Sequence, residues 1–275
     1  MSSQQNPLES ARVSTVLVGE LIKAAGNDPR AKEAAGNLGS AAVTISRAIN
    51  NVLLPLAAVN FAFDKARVYF EGKFQKDLAD STAQIPPDNL QEPKASVAGP
   101  TLQALAFTHE EEYLRRMFLG LLTTAMDSRS AESAHPAFVE IIKQLDSQEA
   151  PLLLEILKSQ SYSPIAMIKK AAPNGHEVLF HHLVNIRNPQ TGEAKLIPRF
   201  PAMLDNWARL GLVKINYDGW LTLEDSYSWV ENRPEYLDLK SIHDSPDTPV
   251  SFDKGYVSLT NLGKEFAQAI NTQSF

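Results

Sequence analysis

The sequence of 275 residues contains no cysteine. Disulfide bonds, thiolate nucleophiles and zinc sites built on cysteine are therefore excluded. The N-terminal residues also lack a basic segment followed by an apolar one, which a secretory signal peptide requires. Both absences fit a reducing compartment, and we expect a cytoplasmic protein.

The chain also lacks an excess of positive charge. It has 26 Lys and Arg residues against 32 Asp and Glu residues, which gives a formal net charge of -6. Residues 196–275 hold most of this imbalance, with 7 basic and 11 acidic residues. Binding to the phosphate backbone of a nucleic acid requires several cations on one face. The charge balance therefore disfavours a nucleic acid partner.

Recognisable catalytic motifs are missing as well. No GxxxxGK[ST] loop, GxGxxG turn, GxSxG elbow or HExxH pair occurs. The six histidines do not have metal-ligand spacing, and His181 and His182, adjacent in a predicted strand, would point to opposite faces. We therefore expect no enzymatic activity, no metal and no cofactor. An active site assembled from residues far apart in the sequence is the alternative.

No uninterrupted apolar segment of membrane-spanning length occurs. A spanning helix needs roughly 20 predominantly apolar residues. The most apolar stretch, Leu38 to Phe63, is interrupted by Arg47, Asn50, Asn51 and Pro55. A helix buried on most of its faces is the favoured interpretation, and insertion into a membrane on activation is the alternative.

Helical periodicity dominates the first half of the chain. Apolar residues recur at helical spacing from Leu8 to Ala25, and again from about Ala31 to Leu78, where Pro55 predicts a kink or break. Capping-box patterns at Thr108–Glu111 and Asp146–Glu149 predict the starts of two later helices. We expect an N-terminal helical region over residues 1–85 and a compact helical domain over 86–145, joined by a proline-rich connector.

Residues 146–275 predict a winged-helix-like α+β unit. The predicted fold class is thus mainly α, with an N-terminal helical bundle region followed by this unit. Its elements come in the expected order of a helix, a strand, a hairpin turn and a returning strand, at Pro201–Leu210, Leu212–Tyr217, Asp218-Gly219 and Trp220–Leu223.

Winged-helix units commonly read DNA, but the helix that would enter the groove offers only Arg199 and Arg209 as cations. Protein binding is therefore favoured for this unit, with Trp207 and Arg209 as candidate interaction residues on that helix. A transcription regulator of the winged-helix type is the alternative.

Three segments carry a family resemblance: ISRAINNVLLPLAAVNFAFDKARVYFEGKF (45–74), EPKASVAGPTLQALAF (92–107) and MFLGLLTTAMDSRSAESAHPAFVEIIKQLD (117–146). Together with the C-terminal VSLTNLGKEFAQAI, they resemble the Abi-alpha family of bacterial proteins associated with abortive infection. The resemblance implies a role in phage defence, in which an infected cell is arrested or killed before phage release. It carries over no catalytic residue.

We therefore predict a non-enzymatic anti-phage protein that acts through protein binding, self-assembly or membrane perturbation. The small residues between Ala34 and Ala42 would let N-terminal helices pack closely against copies of the chain or a phage component. A membrane-active toxin is a further alternative. The candidate interaction residues in the family-like segments are Arg47, Asn50, Asn51, Asp127 and His135. The alternative for Asp127 and His135 is that they only cap and orient helices.

Overall fold

The computed structural model describes residues 35–56, 60–159, 161–188 and 190–272. The helix predicted from Leu8 to Ala25 lies outside these residues. The chain divides into two compact units: unit 1 comprises the described residues up to Pro151 and those from Glu265 onward, and unit 2 comprises Leu152–Lys264. The predicted three-part division stays a prediction, because much of its first part lies outside the described residues.

Unit 1 is built from α-helices. The long helical stretch predicted from Ala31 to Leu78 is divided among several helices, and Pro55 lies at the end of the first of them. The helices are α1 (Ala35–Leu56), α2 (Asn60–Glu71), α3 (Lys73–Thr82), α4 (Ala95–Thr108), α5 (Glu112–Met126) and α6 (Pro136–Ile142).

Helix α5 lies at the centre of unit 1 and packs against α3, α4 and α6. Its sequence is apolar on most faces, so most of its side chains are buried. Aromatic rings fill the surrounding core, where each fully buried ring contributes about 1.5–3 kcal/mol. The most deeply buried of them are Phe70, Phe74, Phe118, Phe138 and Phe266.

The two predicted capping boxes have opposite outcomes. At Asp146 the prediction is confirmed, because its carboxylate accepts the amide of Glu149 at 2.8 Å while the Glu149 carboxylate accepts the amide of Asp146 at 2.9 Å. At Thr108 it is wrong. Thr108 is the last residue of α4, and its hydroxyl donates back to the carbonyl of Ala104 at 3.0 Å.

Unit 2 combines an antiparallel sheet with helices. The strand order is β2-β1-β4-β3. The elements are α7 (Ala150–Ser159), β1 (Ser163–Ala172), β2 (Gly175–Val184), α8 (Phe200–Arg209), β3 (Val213–Asn216), α9 (Pro234–His243), β4 (Val250–Leu259) and α10 (Asn261–Ala269). The first two residues of α7 and the last five of α10 belong to unit 1.

One apolar cluster holds α9 and the segment before it against the sheet. Leu179, Leu221, Leu239 and neighbouring rings pack around its fully buried members. The buried members are Ala166, Ile168, Leu183, Tyr227, Trp229, Val230, Tyr236 and Val250.

Helix α8 ends as the sequence predicts. Gly211 adopts a positive φ of 76°, its amide donates to Ala208, and the amide of Leu212 donates to Trp207 at 3.0 Å. These are the two hydrogen bonds of a Schellman motif, in which glycine avoids the strain of a left-handed conformation.

The predicted fold class is wrong. The chain is a mixed α+β protein, and neither a separate N-terminal bundle nor a winged helix is found in its described part. Strand β3 pairs with β4, with Val213 opposite Leu259, and not with residues 220–223. The amide of Leu221 instead donates to the hydroxyl of Tyr227 at 3.0 Å, while Trp220 and Leu223 are exposed. The Asp218-Gly219 turn therefore does not close a hairpin.

Candidate functional site

Three predicted interaction residues lie on α1. Arg47 and Asn51 are exposed and share one face with Val43, because they follow one another at intervals of four residues. Asn50 is half-buried. The small residues Ala41 and Ala42, in contrast, are completely buried within the chain. The outward face of this helix is therefore mainly polar.

The two predicted residues of α8 have different surroundings. Trp207 is fully buried in unit 2, where its ring meets that of Phe200 edge to face at 5.7 Å. Arg209 is exposed, and its guanidinium donates to Asn206 at 2.7 Å. The indole thus belongs to the core, and the guanidinium lies on the surface.

His135 caps helix α6. Its Nδ1 accepts the amide of Ala137 at 3.1 Å, and its ring packs edge to face on Phe138 at 6.0 Å. Pro136 occupies the first turn, where its missing amide removes no helical hydrogen bond. His135 therefore fixes the start of this short helix.

Asp127 and Arg129 form a clamp just after α5. The carboxylate of Asp127 accepts Nε of Arg129 at 2.9 Å and Nη2 at 2.6 Å, and also the Arg129 amide at 3.0 Å. These hydrogen bonds and the adjacent positive charge lower the pKa of the Asp127 carboxyl below its usual range. Asp127 is consequently ionised and orders the loop that follows it.

A cleft of about 540 Å³, lined mainly by polar residues, lies beside this clamp, entirely within unit 1. Helix α5 forms one wall, with cleft-lining positions at intervals of three and four residues. The lining residues are Asp80, Ser81, Gln84, Ile85, Arg116, Leu119, Gly120, Thr123, Thr124, Asp127, Arg129, Ser130, Gln268 and Asn271.

Several hydrogen-bonding groups in the cleft have no protein partner among the described residues. The hydroxyl of Thr123 is one, although this residue is only 8% exposed. The same holds in that part of the chain for the carboxylate of Asp80, the side-chain amides of Gln84 and Gln268, and Nη1 of Arg129. The cleft can therefore both donate to and accept from a polar ligand.

Asp127 alone among the predicted interaction residues lines this cleft. Sequence reasoning missed the others, although a signal for them exists. Arg116, Gly120 and Thr123 of α5, together with Asp127 at its C-terminal cap, form a polar or small stripe at helical spacing in an otherwise apolar helix. Such a stripe indicates that one side of an otherwise buried helix faces solvent.

A second polar group, in unit 2, joins His182 of β2, Asp205 of α8 and Tyr217 just after β3. Nδ1 of His182 lies 3.0 Å from the Tyr217 hydroxyl, and Nε2 lies 3.2 Å from Oδ1 of Asp205. His182 is 8% exposed, and burial lowers its pKa below the usual range, partly opposed by Asp205. Burial raises the pKa of Tyr217. Sequence reasoning had set this histidine aside.

Within 35–56, 60–159, 161–188 and 190–272, no group of three or more His, Cys, Asp or Glu side chains could hold a metal ion. None of the helices in this described part combines the length and the apolar character that crossing a bilayer takes.

Comparison with known proteins identifies one family. The family model described as abortive infection alpha matches residues 66–270, which include the whole of the cleft apart from Asn271. No curated protein and no solved structure matches the chain. Because the match extends over well more than half of the sequence, the chain belongs to the abortive infection alpha family.

Proposed function

We propose that this protein acts in the bacterial cytoplasm as a non-enzymatic phage-defence protein, and that the cleft in unit 1 binds a polar segment of a protein partner. Membership of the abortive infection alpha family supports the defence role. The observation that carries the binding proposal is that Thr123, a residue of the cleft wall, has a buried hydroxyl without a protein partner in the described part of the chain.

A buried hydroxyl without a partner costs about 1–3 kcal/mol. Rotation of the Thr123 side chain would turn this hydroxyl into the cleft, where a partner that supplies the missing hydrogen bond would recover this free energy on binding. Peptide groups both donate and accept, so they match a cleft that offers the Asp80 carboxylate and Nη1 of Arg129. The ordered Asp127–Arg129 clamp holds that guanidinium in place before binding, which lowers the entropy lost on association.

Binding to a partner is favoured over self-assembly through the small residues of α1. That hypothesis needs their surface to be free. Ala41 and Ala42 do not meet this need, because they are completely buried within the chain, whereas Gly39 meets open space. Close approach of a second helix at Ala41 and Ala42 would require unit 1 to open.

The replacement Thr123→Val tests the cleft. It removes the hydroxyl and keeps the shape, so the melting temperature should stay unchanged or rise slightly. We expect protection against phage, measured by plaque counts on cells with and without the gene, to fall at least about tenfold, which corresponds to about 1.4 kcal/mol of binding free energy.

Thr101→Val is the matched control. Thr101 is also buried, its hydroxyl is also unpartnered in the described part of the chain, and it does not line the cleft. Full protection by both variants would contradict binding at the cleft. Absence of protection by the unchanged gene against a broad phage panel would contradict the defence role. Turnover of a nucleotide, nucleic acid or peptide, abolished by one point change, would contradict non-enzymatic action.

A further inference from the structure

His182 lies at a backbone irregularity in β2. Ala166 pairs with Leu183 and Ile168 with Phe180, so β2 has one residue more than β1 between these pairs. This is a β-bulge, and His182 within it adopts a φ of +55°, which residues other than glycine rarely do. Regular alternation along β2 would point the side chain of His182 elsewhere. The bulge turns it into a buried position.

The hydrogen bonds of His182 determine which ring nitrogen carries the proton when the ring is neutral. An ionised Asp205 can only accept, so Nε2 must carry the hydrogen and donate to it. Nδ1 then has a free lone pair and accepts from the Tyr217 hydroxyl. Both ring nitrogens are satisfied, and the ring connects three elements of unit 2.

Protonation breaks this pattern. Nδ1 would then also carry a hydrogen and would have to donate to the Tyr217 oxygen, so the hydroxyl proton of Tyr217 would need another acceptor. The carbonyl of Ala166 is 3.5 Å away, at the limit of a hydrogen bond. The imidazolium would also be buried beside a carboxylate that is 67% exposed and therefore weakly attractive.

We propose that His182 is an acid-sensitive latch. In its neutral form it joins β2 to α8 and to the end of β3, and on protonation it leaves its buried position and releases these segments. The proposal goes beyond the binding function of unit 1, because it concerns unit 2 alone.

The charged groups around the latch come from each element packed on it. Asp205 from α8 favours protonation, and His181 from β2 opposes it when charged. Asp253 from β4 lies near Tyr217 and is held by Lys169 of β1 at 2.5 Å.

The direction of the pH dependence follows from burial. The latched state binds the proton of His182 less readily than the released state, in which the ring is solvated. The latch is therefore fully effective above the ordinary pKa of histidine and is progressively lost as the pH falls below it. Each further unit of pH increases the ratio of released to latched molecules by about tenfold, until the latched state itself is protonated.

Hydrogen exchange of the purified full-length chain at pH 7.5 and pH 5.0, corrected for intrinsic rates, tests the latch. We expect exchange over residues 175–184 and 200–209 to rise about tenfold or more at the lower pH. In His182→Asn, where asparagine tolerates the left-handed backbone but does not titrate, the rise should be below about twofold. His181→Asn, a change at the exposed neighbour, should keep a rise of about tenfold or more. Equal exchange at both pH values in the unchanged protein, or an undiminished rise in His182→Asn, overturns the proposal.

Two further variants keep the test decisive if His182→Asn folds poorly. Tyr217→Phe removes the donor that favours the neutral ring, so the transition should move to higher pH. Asp205→Asn removes the carboxylate that favours the charged ring, so the transition should move to lower pH. Shifts of these two variants in the same direction, or no shift in either, contradict the latch.

Discussion

Replacing Gly120 by Ala should lower the free energy of unfolding by about 3 kcal/mol, although alanine is the better helix former. A Cβ at Gly120 would lie 2.1 Å from the carbonyl oxygen of Ile270 and 2.8 Å from its carbonyl carbon. Both are backbone atoms, so no side-chain rotation relieves the overlap. The residues after α10 must move away from α5, which also displaces Gln268 and Asn271 from the cleft. Urea unfolding followed by circular dichroism measures the loss.

Gly39→Ala is the matched control for this change. Gly39 lies in α1, and a Cβ there would meet no atom within 4 Å. Alanine at this position should raise the free energy of unfolding by up to about 1 kcal/mol, through helix propensity alone. Equal stability of Gly120→Ala and the unchanged protein would mean that the backbone of Ile270 does not lie this close to α5.

The helices of unit 1 could be predicted from the sequence because their signals are local. The stripe of Leu114, Met117, Leu121 and Leu122 predicts α5, and the capping box at Asp146 predicts the start of α7. At Thr108 the same type of signal failed. A threonine near a helix end can donate to the preceding turn as easily as it can accept from the following one, and the local sequence does not distinguish the two.

The sheet of unit 2 could not be predicted in the same way. Strand β3 is four residues long, and its partner β4 begins more than thirty residues later in the chain. A turn signal at Asp218-Gly219 competes with that distant pairing, and only the packing of the apolar cluster on the sheet decides between them. Pairing between strands far apart in sequence has no local signature, so the winged-helix interpretation followed the nearest strand-like residues.

The residues of the candidate sites differ in the same way, since some have a local sequence signal and others depend on the fold. Asp127 could be selected from the sequence because it is a polar residue within a family-like segment, but its pairing with Arg129 and the unpartnered hydroxyl of Thr123 depend on geometry. His182 could not be selected at all. Its burial depends on one additional residue in β2, and a β-bulge leaves no pattern in a single sequence.

The second large effect is expected at Arg233, which is only 2% exposed. Its guanidinium donates to the carbonyl of Ile186 at 2.8 Å and to that of Lys195 at 3.1 Å. It also forms a two-point ion pair with Glu235, with Nε to Oε2 at 2.9 Å and Nη2 to Oε1 at 2.5 Å. One side chain thus holds the segment after β2 to the start of α9.

Arg233→Met should therefore lower the free energy of unfolding by about 3–5 kcal/mol, because it leaves a largely buried carboxylate and two carbonyls without their donor. The double variant Arg233→Met with Glu235→Met should lose less than the sum of the two single changes, since the uncompensated charge is then also removed. Arg209→Met, a change at an exposed arginine, should stay within about 0.5 kcal/mol. If the two single losses instead add fully in the double variant, the ion pair does not couple these residues, and the carbonyl contacts of Arg233 account for its effect.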